Sequence, residues 1–195
     1  LHQKRLHGIK FTNSIFTNLS RDHLDYHKSY KNYFNSKLIL FRELTKKNGN
    51  LIFDKGLKYS KIFKKIAKRR KLNLLSIGTT NANLKIISIK IINNYQYIKF
   101  SYQNKEYQFK TNLIGKIQIK NLMMAVVAAI KSNLKIDNIV KNLEYIKPVS
   151  GRIEIIGKPK DNSIIILDYA HTPEALKTCI ENIKEQYGLR KINIV

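Results

Sequence analysis

Between Ser29 and Thr45, the residues Tyr30, Phe34, Leu38 and Phe41 recur at spacings of three and four, which lays one apolar stripe along a helix. Ser29 stands where a side-chain oxygen caps the first turn. Upstream, residues 15–19 read as the end of a buried strand running into the polar loop Ser20-Arg21-Asp22-His23. Downstream, short apolar runs predict strands over residues 50–54, 74–78, 84–92 and 95–103. The last two form a hairpin, because Asn93-Asn94 tolerates the positive φ that a two-residue turn needs. Residues 61–71 predict an amphipathic helix with Ile62, Phe63 and Ile66 inward and a solvated basic face. A further helix over residues 120–133 carries Leu122, Ala125, Val126 and Ala129 on one side.

Pro148-Val149-Ser150-Gly151-Arg152 breaks the pattern and marks a domain boundary. The β-branched run over residues 163–167 then reads as a strand buried on both faces. Asp168-Tyr169-Ala170-His171 forms the loop at its end. Thr172 caps a helix with Pro173 in its first turn, Leu176, Ile180, Ile183 and Tyr187 as its apolar stripe, and Gly188 as its stop. A last strand is expected to begin at residues 192–195, completing a βαβ unit and implying a parallel α/β sheet.

Composition changes this picture little. The 195 residues carry a formal charge of +24, which raises a nucleic-acid hypothesis. The basic residues are 30 Lys against seven Arg, alongside 30 Ile and 20 Asn. Lys, Ile and Asn share AT-rich codons, and phosphate recognition favours the bidentate fork of Arg, so a nucleic-acid partner is not expected. The single cysteine, Cys179, permits no intrachain disulfide, and no apolar run reaches the length of a membrane span. The simplest expectation is a cytoplasmic protein that does not insert into membranes.

The run Phe16-Thr17-Asn18-Leu19-Ser20-Arg21-Asp22-His23-Leu24-Asp25-Tyr26-His27 is the most informative. His23 and His27 stand four apart, like a helical zinc pair, yet Leu24 occupies the place where a zinc protease needs glutamate. Read without relatives, the run is a polar loop with surface histidines. It closely resembles, however, the signature of the Mur ligases. Three more blocks resemble that family in the same order: Asn35-Ser36-Lys37-Leu38-Ile39-Leu40-Phe41, Gly115-Lys116-Ile117-Gln118-Ile119-Lys120-Asn121-Leu122, and Pro148–Arg152 followed by Asp168-Tyr169-Ala170-His171-Thr172-Pro173.

The resemblance implies an α/β fold: the remainder of a central ATP-binding domain over residues 1–149, then the start of a Rossmann-like C-terminal domain over residues 150–195. It implies ATP and Mg2+ as cofactors. Lys37 would be carbamylated to N6-carboxylysine and hold the magnesium ion together with His23. An ammonium on the flank of an apolar stripe is partly desolvated, which favours the neutral amine that CO2 requires; otherwise Lys37 is a lysine reaching to solvent. Asn121 would read the adenine edge, Arg152 neutralise phosphates, Asp168 contact ribose and His171 orient a phosphate. Gln3 and Arg5 would grip a UDP-muramoyl substrate. Gln118 departs from the asparagine usual there, which leaves its role open.

The implied activity is ATP-dependent amide-bond formation in peptidoglycan synthesis, by a monomer. The first run favours the members that add the third amino acid, most commonly diaminopimelate, to a UDP-N-acetylmuramoyl-dipeptide. Another Mur ligase, a folylpolyglutamate synthetase and a basic nucleic-acid module are the alternatives. No G-x-x-G-K-T phosphate loop occurs in the chain. In the family that loop lies upstream, so the chain is expected to be an internal fragment that by itself hydrolyses no ATP.

Overall fold

The computed structural model describes residues 1, 3, 5, 6, 8–20, 24–159, 163–188 and 190–195, with the side chains of residues 24 and 25 excepted. A six-stranded sheet in simple sequence order forms the body: β1 (Phe11–Phe16), β2 (Thr45–Asp54), β3 (Asn73–Gly78), β4 (Leu84–Ile92), β5 (Tyr95–Tyr102) and β6 (Lys105–Thr111). The pairs β1–β2, β2–β3 and β3–β4 are parallel, whereas β4, β5 and β6 form an antiparallel meander. Asn93 and Asn94 both adopt positive φ in the first hairpin turn, as expected. Gln103 and Asn104 repeat the device in the second, which leads into β6, a strand absent from the sequence reading.

Alternation along β2 divides the body into layers. Leu51 and Phe53 face an aromatic core with Phe16, Phe34, Phe41, Tyr59 and Phe63. That core is roofed by α2 (Tyr30–Ile39), a π-helical turn (Leu40–Leu44) and α3 (Ser60–Arg70), while the short α1 (Leu24–His27) precedes α2. Ser29 caps α2 as expected, its Oγ accepting the Asn32 amide at 3.1 Å. On α3, Phe63 and Ile66 are buried but Ile62 is 38% exposed, because Ala67 and not Ile62 completes the inward face. The cations Lys61, Lys64, Lys65, Lys68 and Arg69 of this helix are exposed.

Ile52, on the opposite face of β2, joins the core covered by α4 (Lys116–Ile130). This helix starts four residues before the position expected for it. Ile119, Leu122, Met123, Met124, Val126 and Val127 are buried and Ala125 is exposed, so its apolar face is broader than the small-residue side suggested. Beyond it, α5 (Ile136–Asn142) and a 3-10 turn (Leu143–Tyr145) pack back towards β6, with Leu143 buried in the same core. A ladder of amides, Asn73 to Asn50 at 3.2 Å and Asn50 to Asn13 at 2.6 Å, ties the amino ends of β3, β2 and β1. Asn13 in turn donates to Ser132 at 2.8 Å, just past the end of α4. The opposite, carboxyl edge of the parallel strands is where α/β folds place ligands.

The C-terminal part differs from expectation. Strands β7 (Glu154–Gly157) and β8 (Ile165–Leu167) pair antiparallel, and the residues from 190 to 195 form no strand. Only one face of β8 is covered: Ile166 packs against the small core around Cys179, whereas Ile165 is 48% and Leu167 46% exposed on the other face, so a β-branched run alone did not decide burial. The following helix, α6 (Pro173–Tyr187), keeps its expected ends, with Thr172 Oγ1 accepting the Ala175 amide and Gly188 at φ 70°. Its buried side is Cys179, Asn182 and Gln186, whereas Leu176 of the expected stripe is 39% exposed. Cys179 meets Ile114 and Ile153 in a small third core, which seats this segment beside the start of α4.

Candidate functional site

Two groups of residues gather at the carboxyl edge. The first surrounds the loop after β8. Asp168 accepts the Ile153 amide at 2.8 Å through one oxygen and the Ala170 amide at 2.9 Å through the other. Tyr169 donates its amide to the Gly151 carbonyl at 2.9 Å, and the Arg152 guanidinium lies 5.3 Å from the Tyr169 ring centre. The His171 ring packs edge-on against Tyr169, with Nδ1 2.9 Å from the Tyr169 carbonyl. Arg152, Asp168 and His171, far apart in sequence, thus share one small loop cluster. Asp168 is placed by these amides and not by the parallel strand expected. A carboxylate offers about four acceptor directions, so two amides leave capacity for a ligand hydroxyl.

Cys179 belongs to this cluster. Burial first, and then the charge and hydrogen bond of Asp168, push its thiol from the ordinary 9.0 up to about 11. The sequence gave no reason to connect the two residues, because the contact spans eleven positions and a helix start.

The second group lies at the start of α4. Gln118 donates to the Arg152 carbonyl at 3.2 Å, which joins the two groups. Residues three apart share a helix face, so half-buried Asn121 stands one turn further along the side that meets Arg152. The open role of Gln118 is therefore answered by geometry: it ties the helix to the loop. Lys120, the residue before Asn121, pairs with Asp54 at 2.7 Å. Asp54 is buried at the end of β2 and also accepts the Gly56 amide at 2.9 Å. Neither Asp54 nor Lys120 was singled out by the sequence. A period-2 reading of β2, which puts Asp54 on the face of Ile52, would have pointed to the carboxylate.

Lys37 sits apart from both groups, at the end of β1. It is half-buried, its Nζ donating to the Asn18 carbonyl at 3.1 Å and standing 4.8 Å from the Tyr33 ring centre and 6.0 Å from that of Phe16. These contacts suit an ammonium; a carbamate would have to turn away from both the carbonyl and the π faces. His23 lies outside the described residues. His27, four positions on, stacks on Tyr33 at 5.0 Å. Among the described residues no group of three or more His, Cys, Asp or Glu could hold a metal ion, so these residues by themselves do not make up a magnesium shell. Gln3 and Arg5 are exposed in the turn before β1 and belong to neither group. No helix among the described residues is long and apolar enough to cross a membrane.

This arrangement has close counterparts. Residues 1–129 match the model of the Mur ligase middle domain, and residues 151–195 that of the Mur ligase glutamate ligase domain. The UDP-N-acetylmuramoyl-L-alanyl-D-glutamate--2,6-diaminopimelate ligase of Rickettsia rickettsii is 35% identical over 184 residues, covering 94% of this chain and 37% of that protein. Its namesake in Clostridium perfringens is 32% identical over 195 residues, covering 100% of this chain and 40% of that protein. The chain thus spans about two fifths of the length of these relatives. Among solved structures, a UDP-N-acetylmuramoyl-L-alanyl-D-glutamate--2,6-diaminopimelate ligase superposes with a TM-score of 0.74 or better, at 0.76, with 24% identity over 94% of this chain and 37% of that one. MurF ligase from Thermotoga maritima in complex with ADP gives 0.74, with 18% identity over 93% of this chain and 40% of that one. Matched over its parallel sheet, its α4 block and its Asp168 loop alike, the chain belongs to the Mur ligase family.

Proposed function

We propose that this chain supplies the adenine- and ribose-facing part of an ATP-dependent ligase that joins meso-diaminopimelate to UDP-N-acetylmuramoyl-L-alanyl-D-glutamate. The observation that carries the reading is the hydrogen bond from Gln118 to Arg152, because it sets the Asn121 face of α4 against the cluster of Arg152, Asp168 and His171. An adenine edge takes one donor and one acceptor from an amide, which Asn121 offers. Asp168 retains acceptor capacity for ribose hydroxyls, and Arg152 presents a fixed positive fork to phosphate oxygens. The domain division falls at residues 149 and 150, so that the nucleotide lies where the two domains meet. Gln3 and Arg5 are assigned to the UDP-muramoyl substrate.

In the reaction the D-glutamate γ-carboxylate attacks the γ-phosphorus of ATP, giving an acyl phosphate and ADP. The free amine of diaminopimelate then attacks the acyl carbon, and the tetrahedral adduct expels phosphate as the amide forms and the amine proton is lost. Arg152 stabilises charge on the transferring phosphoryl group, and the ordered loop does so without reorganising. Lys37, if carbamylated to N6-carboxylysine and turned away from the Asn18 carbonyl and the rings, would hold magnesium together with His23, and the ion would supply charge neutralisation at the phosphates. We place the ligase in the cytoplasm as a monomer, beside its soluble nucleotide substrates.

The test is phosphate release from the longer ligase that contains this chain. Release is expected only with dipeptide precursor, ATP and diaminopimelate together, and none from the 195-residue chain alone. Equal release with lysine in place of diaminopimelate overturns the acceptor assignment, and robust ATP hydrolysis by the chain alone overturns the division of labour.

A further inference from the structure

We propose that Asn182 is a positioning residue for nucleotide binding: it holds the first turn of α4 from the C-terminal segment, and so sets Asn121 against the Arg152 and Asp168 loop. The inference rests on the nucleotide reading above. A helix start leaves backbone N–H groups without intrahelical partners, and the residue before α4 is Gly115, which has no side chain to offer them. Asn182 supplies the missing acceptor: its Oδ1 receives the Lys116 amide at 3.1 Å while its Nδ2 donates to Thr178 within α6 at 2.6 Å. The fit is close. Gly115 has φ 90°, and a Cβ built there would overlap the Asn182 amide. Asn182 is 8% exposed.

Its neighbours on α6 make the seating specific. Cys179, Asn182 and Gln186, spaced three and four apart, occupy the buried face where an amphipathic helix would carry apolar side chains. Each meets a different part of the molecule. Cys179 lies beside Asp168, Asn182 holds the start of α4, and Gln186 donates to the Asn94 carbonyl at 2.7 Å in the first hairpin turn. Buried polar groups are costly unless matched, so a face of this kind has few alternative placements. Asn182 is thus a buried polar link between α4 and α6, the helix that follows the loop cluster, whereas Gln118 provides an exposed link to the loop and the Lys116–Glu185 pair, at 2.5 Å between half-exposed side chains, adds little.

The experiment compares Asn182→Ala and Asn182→Asp. Amide exchange at Lys116 is measured in this chain, and Michaelis constants in the longer ligase. Asn182→Ala is expected to speed exchange and raise the KM for ATP, each by about fivefold, as loss of a helix cap implies. The KM values for the dipeptide precursor and diaminopimelate stay unchanged. Asn182→Asp keeps an oxygen facing the positive end of α4 and restores both properties. Faster exchange with an unchanged KM for ATP overturns the positioning role, and unchanged exchange overturns the cap. If Asn182→Ala does not fold, Asn182→Asp decides: a wild-type KM supports the inference and a raised one overturns it. Asn121→Ala serves as the parallel control. If it too leaves the KM for ATP unchanged, the nucleotide reading falls and takes this inference with it; if it alone raises that KM, only the positioning role falls.

Discussion

The sheet body and the C-terminal segment are built from similar apolar strands with opposite outcomes. In the body, Leu51 and Ile52 on β2 are fully buried, because α2 and α3 cover one face and α4 the other. In the C-terminal segment, Ile165 and Leu167 on β8 remain about half exposed beside a single partner strand. Hydrophobic burial therefore stabilises the body, whereas the segment has only a small core around Cys179 and is seated on the body by that core together with polar contacts, Gln118 on Arg152 and Asn182 on Lys116. The groups proposed to face the nucleotide sit at the junction of the two. Strong packing on one side fixes α4, and directional hydrogen bonds on the other place the loop against it.

The contrast can be broken most directly at Phe63, which is fully buried and packs against the rings of Phe16, Phe41, Phe53 and Tyr59. Phe63→Ala is expected to cost about 3–5 kcal/mol in chemical denaturation. A loss below about 1 kcal/mol would show that the aromatic core is not what holds the body together. Next in size is Asp54→Ala, which strips Lys120 and the Gly56 amide of their partner and should cost about 2 kcal/mol. Equal stability to the wild type would make the body as tolerant of polar loss as a surface.

Cys179 gives a smaller effect with a defined pH window. Its thiol holds the proton more tightly folded than unfolded, so the unfolded chain releases it first and stability falls as pH rises from 9.0 to about 11. The loss is about 1 kcal/mol, solvent screening reducing the full worth of the shift. Denaturation at pH 8 and pH 11, for wild type and Cys179→Ala, isolates it. The same pH dependence in both proteins would remove Cys179 as its source. Smallest of all, Leu167→Thr on the open β8 should change stability by no more than about 0.5 kcal/mol. A large loss there would mean that β8 is packed as firmly as β2.

Local signals were legible wherever one side chain acts on its own neighbours. Ser29 and Thr172 cap the helices that follow them, and Asn93-Asn94 turns the hairpin, because each needs only a short-range hydrogen bond or a tolerated φ. The motif residues Arg152, Asp168 and His171 were likewise readable, and the structure brings them into one loop cluster. The second hairpin strand β6 escaped notice because Lys105, Glu106 and Gln108 mask its alternation with polar residues.

What the sequence by itself determined is the main helices and most strands of the sheet body, several of their caps and turns, and the motif blocks of a Mur ligase, all written in contacts a few residues long. Only the tertiary structure decided which runs are buried, since burial depends on what the rest of the chain lays over a face. It also decided that Gln118 joins α4 to Arg152, that Cys179 lies beside Asp168, and that Asn182 joins α6 to the start of α4. Those contacts span 34, 11 and 66 positions, and no periodicity in a single segment encodes a hydrogen bond made to another.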